Sequence, residues 1–171
     1  WTNERIPEWN KGSLSAQQPM VFTSYGTSTD RPTFQTGSSS FIEHAADNGT
    51  TKNLAFIGLH LTAHTWTGSG AGPTGIFFYL PNTSSNWLFE DMYIERYQDN
   101  LIIQHDEKFN NNRITNVKIR RNILSNPMRK DNHGNTNAYL QGIDNLVEEE
   151  NILSNFKSND SLTNPSGTQL S

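Results

Sequence analysis

Four segments of this chain alternate apolar and polar residues after a leading asparagine: NLAFIGLHL from Asn53, NWLFEDMYI from Asn86, NVKIRRNIL from Asn116 and NLVEEENIL from Asn145. With the asparagine counted as position zero, position three reads Phe56, Phe89, Ile119 and Glu148. Position six reads Leu59, Met92, Asn122 and Asn151, and position eight reads Leu61, Ile94, Leu124 and Leu153. Apolar residues at alternate positions mark a strand, because successive strand side chains point to opposite faces. The copies start 33, 30 and 29 residues apart, and a period in that range is the mark of a solenoid or array. Between copies run GIFFYL (75–80), NLIIQ (100–104) and NAYLQG (137–142), so each unit carries at least two strands. No segment offers a long helical period with caps at both ends. One such unit cannot bury its apolar face alone, whereas stacked units can, with equivalent residues about 4.8 Å apart on parallel strands. A β-sandwich would supply strands but would not repeat asparagine in register. The pattern predicts a parallel β-helix, with the four asparagine-led segments in one parallel sheet in chain order. Phe56, Phe89 and Ile119 should stack inside it, and Leu61, Ile94, Leu124 and Leu153 should form a second interior column.

The recurring Asn-Val-x-Ile-x-x-Asn-x-Leu resembles the right-handed parallel β-helix proteins of the pectate-lyase-like superfamily. The stretch QQPMVFTSYGTSTDRPTFQTG (17–37) is similar to the first coils of such proteins, where a Tyr-Gly turn leads to an Arg-Pro strand. The resemblance covers most of residues 17–170. It implies an all-β fold, a right-handed solenoid of five to six coils, in a single domain over residues 1–171. Residues 1–50 would form N-terminal coils and a cap region, and residues 51–171 the regular coils. It implies little about chemistry, since the superfamily hosts lyases, hydrolases, epimerases, tailspikes and adhesins. Five or six coils are few for its enzymes. The end of the chain, SLTNPSGTQLS, reads as a turn into a further strand, so the expectation is a longer β-helix or an end covered by another chain.

Composition narrows the function classes. The chain has 171 residues, enough for one domain with a real core, but only 33% are hydrophobic while 11% are aromatic, which fits short strands between polar turns. A net charge of -4 and a pI near 5.7, with no basic block, argue against nucleic acid. The absence of cysteine excludes disulfides and thiolate metal sites, and fits an extracellular bacterial or viral protein. No apolar run approaches membrane-spanning length. The chain opens at Trp1 without a signal peptide, as a processed or excised segment would. Asn48, Asn82 and Asn159 head glycosylation sequons, of a kind expected by chance in an asparagine-rich chain.

The charges follow the same register. Position four reads Ile57, Glu90, Arg120 and Glu149, and position five Gly58, Asp91, Arg121 and Glu150. Acid, base and acid on neighbouring strands predict an outward ladder of ion pairs that also fixes coil order. The asparagines are expected to form amide ladders or to cap turns. Glu148 interrupts an apolar column, so a bulge turning it outward or a buried partner is expected.

Candidate chemistry lies in the segments that follow the repeated strands. His64, Trp66, Arg96, Tyr97, Arg129, Lys130, Asp131 and His133 should gather along one edge, where aromatic faces and cations suit the rings and carboxylates of an acidic polysaccharide. His64, Trp66, Arg96 and Tyr97 are the expected substrate contacts. Lys130 or Arg129 as proton abstractor, with His133 and Asp131 beside it, would suit lyase or epimerase chemistry. His105, Asp106 and Glu107 offer oxygens to Ca²⁺ but lack EF-hand spacing and read as a solvated turn; no other cofactor is expected. His60 and His64 do not make a helical zinc pair, and Tyr93 beside His60 reads as surface packing. The expected function is an extracellular β-helix, secreted or at a cell surface, that binds or processes a polysaccharide. The alternative is a non-catalytic tailspike, fibre or adhesin segment.

Overall fold

The computed structural model describes residues 1–6, 15–44, 51–80, 83–105, 113–128, 136–154 and 166–170. It is an all-β solenoid of about 4 turns, and the described residues build three parallel sheets of five strands each. The first sheet holds β1 (Met20–Thr23), β4 (Lys52–Ile57), β7 (Ser85–Glu90), β10 (Ile114–Arg120) and β13 (Ile143–Glu149) in that order. The second holds β2 (Thr33–Gln35), β5 (His60–Thr62), β8 (Tyr93–Glu95), β11 (Ile123–Ser125) and β14 (Ile152–Ser154). The third holds β3 (Ile42–His44), β6 (Thr74–Leu80), β9 (Asp99–His105), β12 (Thr136–Gln141) and β15 (Ser166–Leu170). The described residues among the first fifty thus contribute one rung of short strands. Thr2 and Ile6 bridge to Gln35 and Ile42 at its edge.

Each asparagine-led segment spans two strands rather than one. Gly58, Asp91, Arg121 and Glu150 have φ of 69°, 52°, 55° and 57°, so position five is a left-handed corner between the first and second sheets. The leading asparagines are left-handed too: Asn53, Asn86, Asn116 and Asn145 have φ of 56°, 61°, 58° and 60°. Asparagine tolerates that region better than other residues with a side chain, which explains its repetition. The same side chains then form a ladder. Asn86 Nδ2 donates to Asn53 Oδ1 (2.7 Å), Asn116 to Asn86 (3.0 Å) and Asn145 to Asn116 (2.6 Å).

Position six supports the corner from inside. Asn122 is buried; its Oδ1 accepts from Met92 N at 2.9 Å and its Nδ2 donates to Phe89 O at 3.0 Å. Asn151 repeats this, accepting from Asn122 N at 3.0 Å and donating to Ile119 O at 2.8 Å. The amides satisfy backbone groups that a Leu or Met at this position leaves to others.

The interior columns fall in the expected register. Phe22, Phe56, Phe89 and Ile119 align in neighbouring strands, with the Phe22–Phe56 and Phe56–Phe89 rings stacked at 4.9 and 5.6 Å. Phe34, Leu61, Ile94, Leu124 and Leu153 form the second column. Ile42, Ile76, Leu101 and Ala138 face them from the third sheet. Glu148 pairs regularly with Ile119, so no bulge turns it out. It takes the interior position on the last strand of its sheet, where it is exposed, and desolvation there holds its carboxyl above the usual carboxylate range. The buried partner expected for it is absent among the described residues.

The ion pairs are deeper than an outward ladder would be. Arg120 contacts Glu90 at 2.9 Å and Glu149 at 3.8 Å, but the Glu90 side chain is only 9% exposed. Arg121 reaches the other oxygen of Glu90 and also Asp91, at 3.2 Å. Two guanidiniums fold over one carboxylate, and this closes the corner over Glu90.

Candidate functional site

The two corners that flank the second sheet carry most of the charged and aromatic residues singled out by the sequence. His64 and Trp66 follow β5, and Arg96 and Tyr97 follow β8, at one corner of successive rungs. Their side chains then part. Trp66 is 6% exposed and Tyr97 fully buried. A Cβ at Gly72 would come within 2.2 Å of the Trp66 ring, and one at Gly75 within 3.1 Å of Tyr97. These glycines make room for rings that seal the core, and neither ring offers a free face to a sugar. The Tyr97 hydroxyl shares a 3.0 Å hydrogen bond with Thr36, and burial pushes its phenol above the ordinary value.

His64 and Arg96 are only half-buried. His64 Nδ1 accepts from Gly37 N at 3.2 Å. Arg96 sits at a left-handed corner (φ 64°) with its N–H on Asn126 O at 3.2 Å. Arg129, Lys130, Asp131 and His133 lie outside the described residues, as do Asp106 and Glu107 and the sequon asparagines 48, 82 and 159. His105 is buried at the end of β9. Among the described residues no three His, Asp or Glu side chains come together as a metal site would require.

A different cluster gathers the chemistry, on the outer face of the second sheet. Leu61 and Ile94 point inward, so their neighbours His60, Thr62, Tyr93 and Glu95 point out. Register sets Thr33, His60 and Tyr93 in one column and Gln35, Thr62, Glu95 and Ser125 in the next. Thr62 and Ser125 are buried even so, and Glu95, between them, shows only 17% of its side chain. The face is therefore recessed at this column.

Glu95 is the hub. Its Oε1 lies 3.1 Å from His60 Nε2, and its Oε2 accepts from the Tyr93 hydroxyl at 2.9 Å and from Asn126 Nδ2 at 3.3 Å. The hydrogen bond from His60, helped by that from Tyr93, outweighs desolvation and holds Glu95 below the usual carboxylate range. Tyr93 moves the other way, raised chiefly by desolvation and further by Glu95. The His60 and Tyr93 rings stack at 4.5 Å and 12°. On its far side His60 Nδ1 lies 3.1 Å from the Thr33 hydroxyl.

The network dictates the tautomer. An ionised Glu95 only accepts, so Nε2 carries a proton. In neutral His60 the lone pair is then on Nδ1, and the Thr33 hydroxyl donates to it. The His60–Tyr93 adjacency follows from the repeat register. Thr33 was not legible from it, because the first-rung register precedes the repeat that begins at Asn53.

Arg31 completes the rim. It is two residues before Thr33, level with Gly58, and its Nε donates to Asp91 O at 2.7 Å, two rungs on. A cavity of about 990 Å³ opens nearby, lined by Trp1, Phe22, Phe34 and Phe41 together with Arg31 and Pro32. It sits over the first-rung ends of the core columns rather than over the His60 face. No protein family, curated protein or solved structure matches this chain.

Proposed function

We propose that this chain is a module of an extracellular right-handed β-helix, pectate-lyase-like in its coils, that binds a polysaccharide along the outer face of the second sheet. Right-handed winding is the rule for parallel strands joined by crossovers. The observation that carries the reading is the recessed polar row of Thr33, Gln35, His60, Thr62, Tyr93, Glu95 and Ser125. Such rows repeat hydrogen-bonding groups every 4.8 Å or so, as a polyhydroxyl chain repeats its hydroxyls. Arg31 on one side and Arg96 on the other supply cations, which favours an acidic polymer.

Calorimetric titration with polygalacturonate, alginate and neutral dextran, with and without Ca²⁺, tests the proposal. The acidic polymers should bind, and His60→Ala and Arg96→Ala should each weaken binding several-fold without lowering the melting temperature much. Binding to none of the three, or binding indifferent to both substitutions, would overturn it.

One feature favours a second reading. The outer column turns apolar at Ile123 and Ile152, the latter 56% exposed, as in a fibre or adhesin segment whose side packs on another chain. Concentration-dependent sedimentation abolished by Ile152→Asp would support that reading.

A further inference from the structure

We propose that Thr33, His60 and Glu95 form a nucleophile–base–carboxylate relay for acyl transfer, acting on carboxylic esters of sugar hydroxyls. The sugar part rests on the polysaccharide reading above; the relay does not. A base within hydrogen-bond reach of a hydroxyl and itself oriented by a third group is what nucleophilic catalysis by an oxygen requires. Both links are 3.1 Å here, Thr33 Oγ1 to His60 Nδ1 and His60 Nε2 to Glu95 Oε1. The three residues come from successive rungs of one sheet, two in one outward column and the third diagonal to them. They are fixed by strands rather than by a loop.

Surface packing alone does not account for the polarity of this chain of contacts. Glu95 is already engaged by Tyr93 and Asn126, so it is anchored independently of His60. It holds the imidazole in the tautomer whose bare nitrogen faces a hydroxyl. It also lies where positive charge develops when His60 takes a proton. Tyr93, stacked on the ring, fixes the imidazole plane. Glu95 and Tyr93 are positioning residues, and Thr33 and His60 the catalytic ones.

The chemistry balances with water as the only co-reactant. Thr33 Oγ attacks the ester carbonyl carbon while its proton passes to His60 Nδ1. The tetrahedral adduct collapses, the bond to the sugar oxygen breaks, and that oxygen takes the proton from Nδ1. Water then attacks the acyl-threonine, giving a proton to Nδ1, which returns it to Thr33 Oγ as the acid leaves. The oxyanion needs a donor. Arg31, held by its Nε on Asp91 O, stands two residues from the nucleophile and retains its terminal N–H groups for that role.

The test uses the whole chain with p-nitrophenyl acetate and, separately, an O-acetylated polysaccharide. Wild type should release p-nitrophenol and acetate. Thr33→Val and His60→Ala should each lower the rate by about 10³-fold, with thermal melts confirming that they fold. Glu95→Gln would present an amide that favours the wrong tautomer, so it should slow turnover and shift the pH–rate profile, which loss of packing alone would not do. A fluorophosphonate probe should label Thr33 in wild type and not in His60→Ala. Hydrolysis of the small ester without the polymer would sustain the relay and refute the polysaccharide part. No turnover of either ester, or turnover and labelling unchanged in Thr33→Val, would refute the relay.

Discussion

Two charged networks lie on neighbouring parts of this solenoid, and they end differently. At the corner between the first and second sheets, Glu90 is shared by Arg120 and Arg121, which also reach Glu149 and Asp91. Each of these five charges touches an opposite one. On the outer face of the second sheet, Glu95 gathers His60, Tyr93 and Asn126, and the chain of contacts runs on through His60 to the hydroxyl of Thr33. One network closes on itself and the other ends in a group that can react. The difference separates architecture from a candidate site more sharply than the count of charges, which favours the corner.

Breaking the closed network should cost the most stability. Glu90→Ala leaves two arginines facing each other across a buried position. Because the arginines are 30% and 42% exposed, water recovers part of the loss, and about 2 kcal/mol is expected. Urea melts would measure it, and that loss should persist in high salt because Glu90 is covered. A change under about 0.5 kcal/mol, within the range for an ordinary surface site, would mean that the corner is held by its backbone alone.

The open network should respond to acid. The folded pKa of Glu95 lies below its ordinary value of 4.5, so its contribution to stability is complete above the unfolded pKa. That contribution is lost as pH falls through the depressed folded value. Glu95→Gln should therefore lower stability at neutral pH by about 1 kcal/mol or less, given its partial exposure, and the difference from wild type should vanish in strong acid. A pH-independent difference would show that the carboxylate's charge is not what holds His60.

Glu148 gives the smallest effect and the opposite sign. Its folded pKa is raised by desolvation, so its charge opposes folding at neutral pH, and the penalty disappears as pH falls through that raised value. Glu148→Gln should stabilise the chain at neutral pH by less than about 1 kcal/mol and be neutral below pH 4 or so. Destabilisation at neutral pH would reveal a partner for the carboxylate.

How much of this was legible in the sequence depends on where the backbone turns. The asparagine repeat carries the register, so Phe56 on Phe89 and Arg120 between Glu90 and Glu149 follow from it. The corner at position five does not, because Arg121 and Glu150 are residue types that avoid left-handed backbone, and only Gly58 and, more weakly, Asp91 signal it. Without that corner Glu90 reads as exposed. Trp66 and Tyr97 misled for a related reason. Aromatics after polar turns read as surface groups, and their burial depends on the space left by Gly72 and Gly75. The site itself joins residues 33, 60 and 95, and the periodic segment begins only at Asn53, so Thr33 had no register to be read from.

We propose that the outer face of the second sheet, not the charged corner, is where this chain meets its ligand. Two-dimensional amide NMR during titration with polygalacturonate tests it most directly. Saturable shifts should be confined to Thr33, His60, Tyr93, Glu95 and their strand neighbours, with the Glu90–Arg120 corner silent. Shifts centred on Arg120 and Arg121, with the His60 face unmoved, would contradict it.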